Sequence, residues 1–428
     1  MTASLKRTPH LITLLVLVLM LTACGTNPVT GERELRLISE QDEIEMGREN
    51  YVPTLQSQGG RYYRDETLSD YVSEVSQSLA EVSDRPDLPY EFTVINSGVP
   101  NAWAMPGGKI AINRGLLLEL DDEAQLAAVM GHEIVHSAAR HGAQRMQRGM
   151  LVNIGVAGIG LGAVLSDNRY APLIMGSAAI GSQIAMARYS RSHELEADYH
   201  GTRYMIEAGY DPQAAVELQK VFVRLSEGQQ SDFISGLFQS HPPSEERVEA
   251  NQKTARQYGQ NGRLGRERYQ EMIAGLEEDK AAYEHFDEAR RARRDDNHEK
   301  ALQLVNRAIE QVDDEAAFYN LRGDLLREQD DKDRAMADHN KAVDFYPEMF
   351  RYTLSRGLLH RELENWAEAE TDLKASLDSV ETSIGYLGLG DAVAAQGRRD
   401  EARSHYQQAA RDEGEIGNMA RQRLEAMN

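Results

Sequence analysis

Apolar and polar residues alternate with different periods in successive parts of the chain. Residues 11–21 are almost all apolar, but this run is too short to span a bilayer, which takes roughly 20 apolar residues. Helical periodicity begins at Ser39, which can cap a helix together with Asp42. Residues 88–97 alternate as a half-buried strand does, and residues 109–120 begin as a strand and continue as a helix. The pattern predicts an α+β domain with a small sheet, in a chain that is mostly α-helical.

A helical pattern with a period of 34 residues occupies the C-terminal part of the chain. A small residue recurs on each of two successive helices, which lets the paired helices approach closely and lets stacked pairs bury a continuous core. The pattern resembles the tetratricopeptide repeat and predicts an all-α solenoid of four repeats at 282–416, between a linker at 259–281 and a tail at 417–428. The small residues of the second helices are spaced by 34, 34 and 33 positions: Ala301, Ala335, Ala369 and Ala402.

The N-terminal apolar run has the features of a targeting segment. Two basic residues precede it, and it ends in LTAC, which resembles a bacterial lipobox. The resemblance implies that residues 1–23 are a signal peptide and that Cys24 carries lipid. Residues 24–38 contain Gly, Asn and Pro, and this content predicts a tether after the anchor. Gly25 differs from the Asp that usually retains lipoproteins at the inner membrane. We therefore expect an exported protein, located in the periplasm and anchored to the outer membrane through Cys24.

Composition limits the chemistry of any site. Cys24 is the only cysteine, so neither a disulfide nor a thiolate metal site is expected in the mature protein. The formal net charge is -22 over 428 residues. Nucleic acids and anionic membrane surfaces attract basic patches, so neither is expected as a main partner. A metal ion would have to be held by His, Asp or Glu.

Residues 130–142, MGHEIVHSAARHG, contain the arrangement H-E-x-x-H. His132 and His136 lie four residues apart on a predicted helix, so both imidazoles share one face. Glu133 is placed to reach a water beside a metal held by the two histidines, as the general base of zinc peptidases is. His141 lies about 140° around the helix from His136 and is expected to be a bystander, favoured by the helix dipole.

A catalytic zinc needs a third protein ligand and an open fourth position. The densest group of candidates is SRSHELEADYHG at 190–201. Glu194 and Asp198 share a helix face, so one could ligate while the other orients a ligating histidine. His193 and His200 remain candidates on chemical grounds alone.

These motifs together resemble a known peptidase family. GHEIVH, the downstream ELEAD and the upstream NAWAMPGGKIAINRGLL are similar to the gluzincin peptidases of the HtpX and prenyl-protein-processing protease family. The resemblance implies a zincin-type domain at 39–258 that holds one Zn2+ per chain. It also implies that Glu194 is the third ligand beside the two histidines, that Asp198 orients a ligand, and that Glu196 is a solvent-facing charge.

A further part of the resemblance lies in QSHPPSEERVE at 239–249. In the family, a His-Pro element and a later Arg lie near the active site. This implies one of two roles for His241: it stabilises the oxyanion of the tetrahedral intermediate, or it occupies the open zinc position as a plug. The alternative is a loop histidine held by the two prolines. Arg247 is the weaker candidate, since an arginine in a charged helix is usually a surface residue.

Two apolar segments leave alternatives open. GGKIAIN at 107–113 is either an edge strand that pairs with extended substrate or an ordinary interior strand. Residues 151–187 contain two apolar halves, each short for a membrane span. They form either a helical hairpin that covers the domain or a membrane contact.

The predicted activity is that of a zinc endopeptidase with Glu133 as general base. The lipoprotein signal, the peptidase motifs and the repeats together resemble the beta-barrel assembly-enhancing group of periplasmic proteases. The resemblance implies cleavage of unfolded or misassembled outer-membrane proteins, with the repeats recruiting these substrates or the outer-membrane assembly machinery. The lipid anchor on a tether departs from that group, so the chemistry transfers more directly than the biological role. The alternative is a mainly latent peptidase whose repeats act as a chaperone or scaffold.

Overall fold

The chain forms an α+β domain followed by a helical repeat array, as seen in a computed structural model. The structure describes residues 24–157, 188–227, 240–259 and 262–427. The strands are β1 (Cys24–Thr26), β2 (Arg33–Leu35), β3 (Glu91–Ile95), β4 (Ala102–Met105) and β5 (Lys109–Asn113). The helices of the N-terminal domain are α1 (Glu40–Gln58), α2 (Glu66–Ala80), α3 (Arg114–Leu117), α4 (Glu123–Ala138), α5 (His141–Ala157), α6 (Arg191–Glu207), α7 (Gln213–Glu227) and α8 (Glu245–Tyr258).

A short hairpin precedes the main body of the domain. β1 and β2 pair antiparallel. Asn27 shapes the turn between them, because its Oδ1 accepts hydrogen bonds from the main-chain N–H groups two and three residues later. Its Nδ2 donates to the carbonyl oxygen of Ala139 at 2.9 Å and so ties the hairpin to the domain. Residues 24–38 are therefore not the extended tether expected from their Gly, Asn and Pro content, since these residues build a turn.

The main sheet has the strand order β3-β5-β4, with β3 parallel and β4 antiparallel to β5. The turn between β4 and β5 uses Gly107 and Gly108 at φ 78° and 81°, a backbone conformation that favours glycine. β5 is thus the interior strand, and of the two alternatives for GGKIAIN the edge strand is wrong. β4 is an edge strand of this sheet and borders α4, where the Ser137 hydroxyl donates to the carbonyl oxygen of Met105 at 3.1 Å.

α4 is the central helix of the N-terminal domain. All 16 of its residues are buried. Asp122 caps its N-terminus, with Oδ1 accepting from the main-chain N–H of Gln125 at 3.0 Å. The helices α2, α6 and α7 and the strand β4 pack around it. Because every face of α4 is covered, its polar side chains are held away from bulk water in fixed positions.

α9 (Arg266–Arg294) joins the two halves as one helix of 29 residues. Its first half packs on the N-terminal domain, where Tyr269, Ile273 and Leu276 are buried. The Tyr269 hydroxyl donates to the carbonyl oxygen of Leu117 at 2.5 Å. The prediction of a linker at 259–281 is therefore wrong over most of its length. The charges that suggested a junction lie on the outer face of a helix whose apolar residues recur every three or four positions.

The second half of α9 begins the repeat array, and the later repeats pair their helices in the same manner. Ala301, Ala335, Ala369 and Ala402 are completely buried between paired helices. A helix follows the last repeat at 415–426, so most of the predicted tail is a capping helix that covers the end of the stack. The remaining helices are α10 (His298–Gln311), α11 (Ala316–Glu328), α12 (Lys332–Phe345), α13 (Phe350–Glu362), α14 (Trp366–Ser379), α15 (Ser383–Ala395), α16 (Arg399–Ala409) and α17 (Glu415–Ala426).

The repeats also contact the N-terminal domain away from α9. The rings of Tyr63 and Tyr346 stack with centroids 4.8 Å apart. The Gln56 side chain accepts from the main-chain N–H of Phe350 at 2.9 Å. Arg64 pairs with Asp314 at 2.7 Å. These contacts fix the orientation of the array against the domain at a second place.

The apolar segment at 151–187 falls mostly outside the residues that the structure describes, apart from the end of α5. The choice between a helical hairpin and a membrane contact is therefore not tested. Among the described helices, none combines the length and the apolar character needed to cross a membrane.

Candidate metal centre

Three of the predicted ligands meet at the centre of the N-terminal domain. His132 and His136 lie one turn apart on α4, with their Nε2 atoms 3.0 Å apart. Glu194, in the first turn of α6, places Oε1 3.4 Å from Nε2 of His136 and Oε2 3.6 Å from Nε2 of His132. All three residues are buried. The fold thus joins the two histidines to a carboxylate from a distant part of the sequence.

Two glycines allow α4 and α6 to approach each other at this point. A Cβ on Gly201 would lie only 2.9 Å from the main-chain nitrogen of His132. A Cβ on Gly131 would lie 3.0 Å from the carbonyl oxygen of Gly201. Larger residues would separate the two helices, and with them the ligand atoms that each helix carries.

His241 adds a fourth donor to this group. Its Nδ1 lies 3.3 Å from Nε2 of His132 and 3.1 Å from Oε1 of Glu194. Its Nε2 lies 3.5 Å from Oε1 of Glu133. The side chain is buried, so it is not a loop histidine held only by its neighbouring prolines.

The donor set fits a zinc ion. A tetrahedral zinc with Zn–N bonds of about 2.05 Å holds its donor atoms about 3.3 Å apart. The ligand atoms of His132, His136 and Glu194 lie 3.0 to 3.6 Å apart, and with His241 included all four lie within 4.8 Å of one another. Oε2 of Glu133, beside this group, is buried without a hydrogen bond to any described residue. Three imidazole nitrogens and one carboxylate are donors that zinc accepts, and in the described part of the chain no second group of this kind occurs.

Asp198 and Arg247 support the ligands from behind. Asp198 Oδ1 lies 3.0 Å from Nδ1 of His132, so it can accept that N–H and leave Nε2 facing the donor group. Arg247 donates to both oxygens of Asp198 at 2.7 Å and pairs with Glu194 at 2.9 Å. The expectation that Arg247 is a surface residue is wrong, because its guanidinium is buried between two carboxylates.

A second chain of contacts extends from His136. Its Nδ1 lies 2.8 Å from Nδ1 of His141, and Nε2 of His141 lies 3.2 Å from Oε1 of Glu196. His141 is fully buried at the start of α5 and is not a bystander at the end of α4. Glu196 is only partly exposed and is not the free surface charge that was expected. Together they hold the ring of His136, as carboxylate–histidine pairs do at metal sites.

The two other candidate histidines stand outside the donor group. The ring of His193 stacks on that of His141 with centroids 4.1 Å apart. Burial lowers the pKa of His193 to about 4. The ring of His200 lies edge-on to Tyr199. Glu194 therefore lies beside His132 and His136 in the structure, and neither His193 nor His200 does.

The electrostatics separate the two glutamates of the site. Burial raises the pKa of Glu133, and the positive charge on nearby histidines only partly opposes this. Burial acts in the same direction on Glu194, but His241 and Arg247 outweigh it and hold the pKa of Glu194 well below its ordinary value. Glu194 is thus suited to remain an ionised ligand, whereas Glu133 is suited to take up a proton.

Two histidines one helical turn apart, a carboxylate from a second helix and an adjacent glutamate define a zincin-type metal centre. Residues 66–255 match Peptidase family M48, and residues 286–349 and 354–415 match the tetratricopeptide repeat. The chain therefore contains a domain of Peptidase family M48 followed by tetratricopeptide repeats, and the fold class and the family resemblance predicted from its motifs are confirmed.

Curated relatives match about half of the chain. The mitochondrial metalloendopeptidase OMA1 of Schizosaccharomyces pombe is 32% identical over 228 residues, which are 52% of this chain and 63% of the relative. The beta-barrel assembly-enhancing protease of Escherichia coli K12 is 29% identical over 231 residues, which are 53% of this chain and 46% of the relative. The chain thus spans less than two thirds of the length of either relative.

Proposed function

We propose that this chain is a zinc-dependent endopeptidase of the bacterial cell envelope that cleaves unfolded or misassembled membrane proteins. The observation that carries the proposal is the buried group of His132, His136 and Glu194, with Glu133 beside it. The M48 domain and the names of the metalloendopeptidase relatives support the reaction class. The repeats support a role in recruiting protein.

The residues of the site would have different roles in hydrolysis. The three ligands would hold one zinc ion, which polarises a carbonyl oxygen and lowers the pKa of bound water. Glu133 would accept a proton from the attacking water and deliver it to the leaving amine. Burial raises the pKa of Glu133, which makes its carboxylate a stronger base for this step. Asp198, held by Arg247, keeps the imidazole of His132 in the orientation that ligation requires.

His241 supports a second, latent state of the same site. With its Nδ1 among the ligand atoms, four protein donors surround the metal position, and a closed site of this kind leaves no position for water. In the active state His241 would move aside and could face the oxyanion. Replacing His241 with Ala tests the two roles, because cleavage would rise if the histidine is a plug and fall if it stabilises the oxyanion.

Extended substrate would add to β4, the edge strand of the main sheet. This strand borders α4 and lies beside the ligands, whereas β5 has a neighbour on each side. The Tyr189 hydroxyl donates to the carbonyl oxygen of Ala104 on this strand, and its ring stacks on His136 at 3.7 Å. β4 is buried and this hydrogen bond occupies its Ala104 carbonyl, so Tyr189 would have to move aside before an incoming chain could pair with the strand.

The envelope location is supported by the N-terminal sequence. Residues 1–23 have the pattern of a signal peptide, and Cys24 stands where a lipoprotein signal places its lipidated cysteine. We propose that the chain is attached through Cys24 to the periplasmic face of the outer membrane. The name of the Escherichia coli relative supports substrates in outer-membrane protein assembly.

The test compares the full chain with its Glu133→Gln variant on an unfolded outer-membrane protein. We expect cleavage to fall by about 100- to 10,000-fold, the range for loss of a general base. Zinc content, measured by elemental analysis, serves as the control and should stay near one ion per chain. Equal cleavage by the two proteins would remove Glu133 from the mechanism. Full biological activity of the variant in a strain lacking the gene would favour the scaffold alternative.

A further inference from the structure

A cavity lies between the N-terminal domain and the repeats, away from the metal centre. Its volume is about 530 Å³, within the range of small-ligand sites. The N-terminal domain contributes residues 57–59 and 96–98 together with Arg114. The first helices of repeats 1 to 3, in α9, α11 and α13, form the other wall. The cavity is separate from the metal centre and shares no lining residue with the donor group.

This cavity is rich in arginine. Three aspartates also line it, in a chain whose formal net charge is -22. The excess of positive charge is therefore local and runs against the charge of the whole chain. We call it the arginine cavity after the five arginines that line it: Arg114, Arg290, Arg293, Arg294 and Arg351.

The aspartates do not neutralise these arginines evenly. Arg293 is fully engaged, with Asp324 at 3.1 Å and Glu328 at 2.6 Å. Arg290 reaches a carboxylate only at 3.6 Å, on Asp287. Among the described residues, no carboxylate lies within 4 Å of Arg294 or Arg351, and both residues are exposed. The unpaired charge is thus concentrated on α9 and α13.

Arg114 is the deepest of the five. It is only 3% exposed, and within the described part of the chain no carboxylate lies within 4 Å of it. Its Nε donates to Oδ1 of Asn96 at 2.9 Å, and its guanidinium lies over the ring of Tyr283 at 3.4 Å. A buried charge is ordinarily paired with an opposite charge, because desolvation is costly. The charge of Arg114 acts on Asp287 in the same lining, but among the described residues no ion pair joins the two, so an anion in the cavity would supply a direct partner.

The arginines are close enough to affect one another. Partial desolvation, followed by repulsion from Arg351, Arg294 and Arg114, lowers the pKa of Arg290, although Asp287 acts in the opposite direction. Like charges held together in this way are relieved by an anionic ligand. Guanidinium groups from two facing walls can also grip a carboxylate through paired N–H donors.

Apolar side chains beside the arginines indicate what the rest of the ligand would contact. Phe286, Leu321, Met349 and Tyr352 line the repeat wall beside the arginines. A ligand that satisfies both surfaces carries an anionic group next to a large apolar group. The free end of a polypeptide with an apolar last residue has this chemistry, and its terminal carboxylate can reach Arg114 without bringing a continuing chain behind it.

We propose that the arginine cavity binds the C-terminal carboxylate of an unfolded polypeptide whose last side chain is large and apolar. Binding itself follows from the cavity alone. Its role in recruiting substrate to the metal centre rests on the proposed peptidase function. Bound there, a chain would be held by its end while a more N-terminal part of it extends toward β4.

Binding is tested with the full chain carrying Glu133→Gln, so that no peptide is cleaved and the outcome does not depend on peptidase activity. The probe is a twelve-residue peptide, labelled at its N-terminus and ending in Phe with a free carboxylate. Fluorescence anisotropy should show binding that weakens as salt is raised. The same peptide with a C-terminal amide should bind at least about tenfold more weakly, since charge-assisted hydrogen bonds are lost. Replacing the last Phe with Ser should also weaken binding.

A double variant, Arg294→Gln with Arg351→Gln, locates the site. Both residues are exposed and without ion pairs to described residues, so the fold should be retained. The difference between the free acid and the amide should fall from about tenfold to less than about twofold. Arg291→Gln is the matched control, because it removes one charge from an exposed position of α9 outside the cavity lining.

The proposal is overturned if the native protein binds acid and amide equally, or if Arg291→Gln weakens binding as much as the double variant does. If an amidated peptide with internal Asp residues binds as tightly as the free acid, the cavity recognises acidic side chains in place of chain ends, which also overturns the proposal. If the double variant does not fold, judged by far-ultraviolet circular dichroism, the acid-to-amide comparison on the native protein decides the matter.

Discussion

In the repeats the same ion pair recurs, whereas around the metal centre each polar contact occurs once. Arg322 donates to Asp338 through Nε at 2.7 Å and through Nη2 at 2.8 Å. Arg356 makes the same two bonds, with the same lengths, to Asp372 one repeat later. Arg247, in contrast, donates to both oxygens of Asp198 and also pairs with Glu194, an arrangement that ties two different carboxylates of the metal centre together.

This difference determines how each half responds to change. A repeat array sums many similar local terms, so one substitution removes only a fraction of its stability. A buried polar network depends on all its members, because a partner left alone in a low-dielectric interior is costly. Substitutions at the metal centre should therefore abolish function and spare the array, and substitutions in the array should do the reverse.

The largest effect is expected from Glu194→Ala. This change removes the only carboxylate among the ligand atoms, so bound zinc should fall from about one ion per chain to below about a tenth, and cleavage should fall to background. Elemental analysis and a peptide-cleavage assay measure the two losses. Glu207→Ala, at an exposed position of the same helix, is the matched control. A variant at Glu194 with full zinc content would exclude this residue from the ligand set.

Arg247→Lys should have a smaller effect at the same site. Lysine keeps the charge but loses the fork that holds both oxygens of Asp198, so the imidazole of His132 is less well fixed. We expect zinc affinity to fall by about 10- to 100-fold, as for other supports of metal ligands. Competition with a chelator measures it. Arg256→Lys, exposed on the same helix, should change nothing, and unchanged affinity in Arg247→Lys would show that the fork is dispensable.

Ala335→Leu should destabilise the array and leave the metal centre intact. Ala335 is completely buried between paired helices, and overpacking of this kind costs about 1–3 kcal/mol. Urea unfolding should show the loss, while zinc content stays at its native value. Ala337→Leu places the same side chain at an exposed position of α12 and should be nearly neutral. A loss of zinc in Ala335→Leu would show that a change in the repeats also disturbs the metal centre.

The last prediction concerns the contribution of His339 to the pH dependence of stability. Burial lowers the pKa of His339 to about 4, against about 6.5 in an unfolded chain. Between these values the unfolded chain binds a proton that the native chain does not, so stability falls as pH is lowered. From pH 7 to pH 5 the loss from this group is about 2 kcal/mol.

The variant His339→Gln should reduce the pH dependence of urea unfolding by that amount. His285→Gln makes the same replacement at a partly exposed position of α9 and is the control for the loss of an imidazole. An unchanged slope in His339→Gln would show that the imidazole titrates normally in the native state.

The sequence was sufficient to predict the parts of the molecule that repeat or that stand within one helical turn. The spacing of His132 and His136 places both on one helix face, and the period of 34 residues shows the paired helices directly. Glu194 followed from the family resemblance, since chemistry alone left four candidates in the same segment. The close approach of two helices at Gly131 and Gly201 explains why this carboxylate reaches the histidines.

The parts that were mispredicted depend on which polar residues become buried. Arg247 lies in a helix with polar or charged residues at most positions, and a polar-apolar pattern does not distinguish a buried arginine from an exposed one. The signal available was Asn251 one turn later, which is also buried on the same face. His141 was assigned by its angle on a straight helix, but the helix ends at Ala138 and a new one begins, which turns the ring back toward His136.

The continuity of α9 has a mechanical consequence. A helix of 29 residues is about 44 Å long, and each of its turns is closed by main-chain hydrogen bonds. The two halves of the chain are therefore connected by a stiff helix that is held at both ends. A polypeptide that pulled on the repeats would load the contact of Tyr269 with the N-terminal domain together with the stacked rings of Tyr63 and Tyr346.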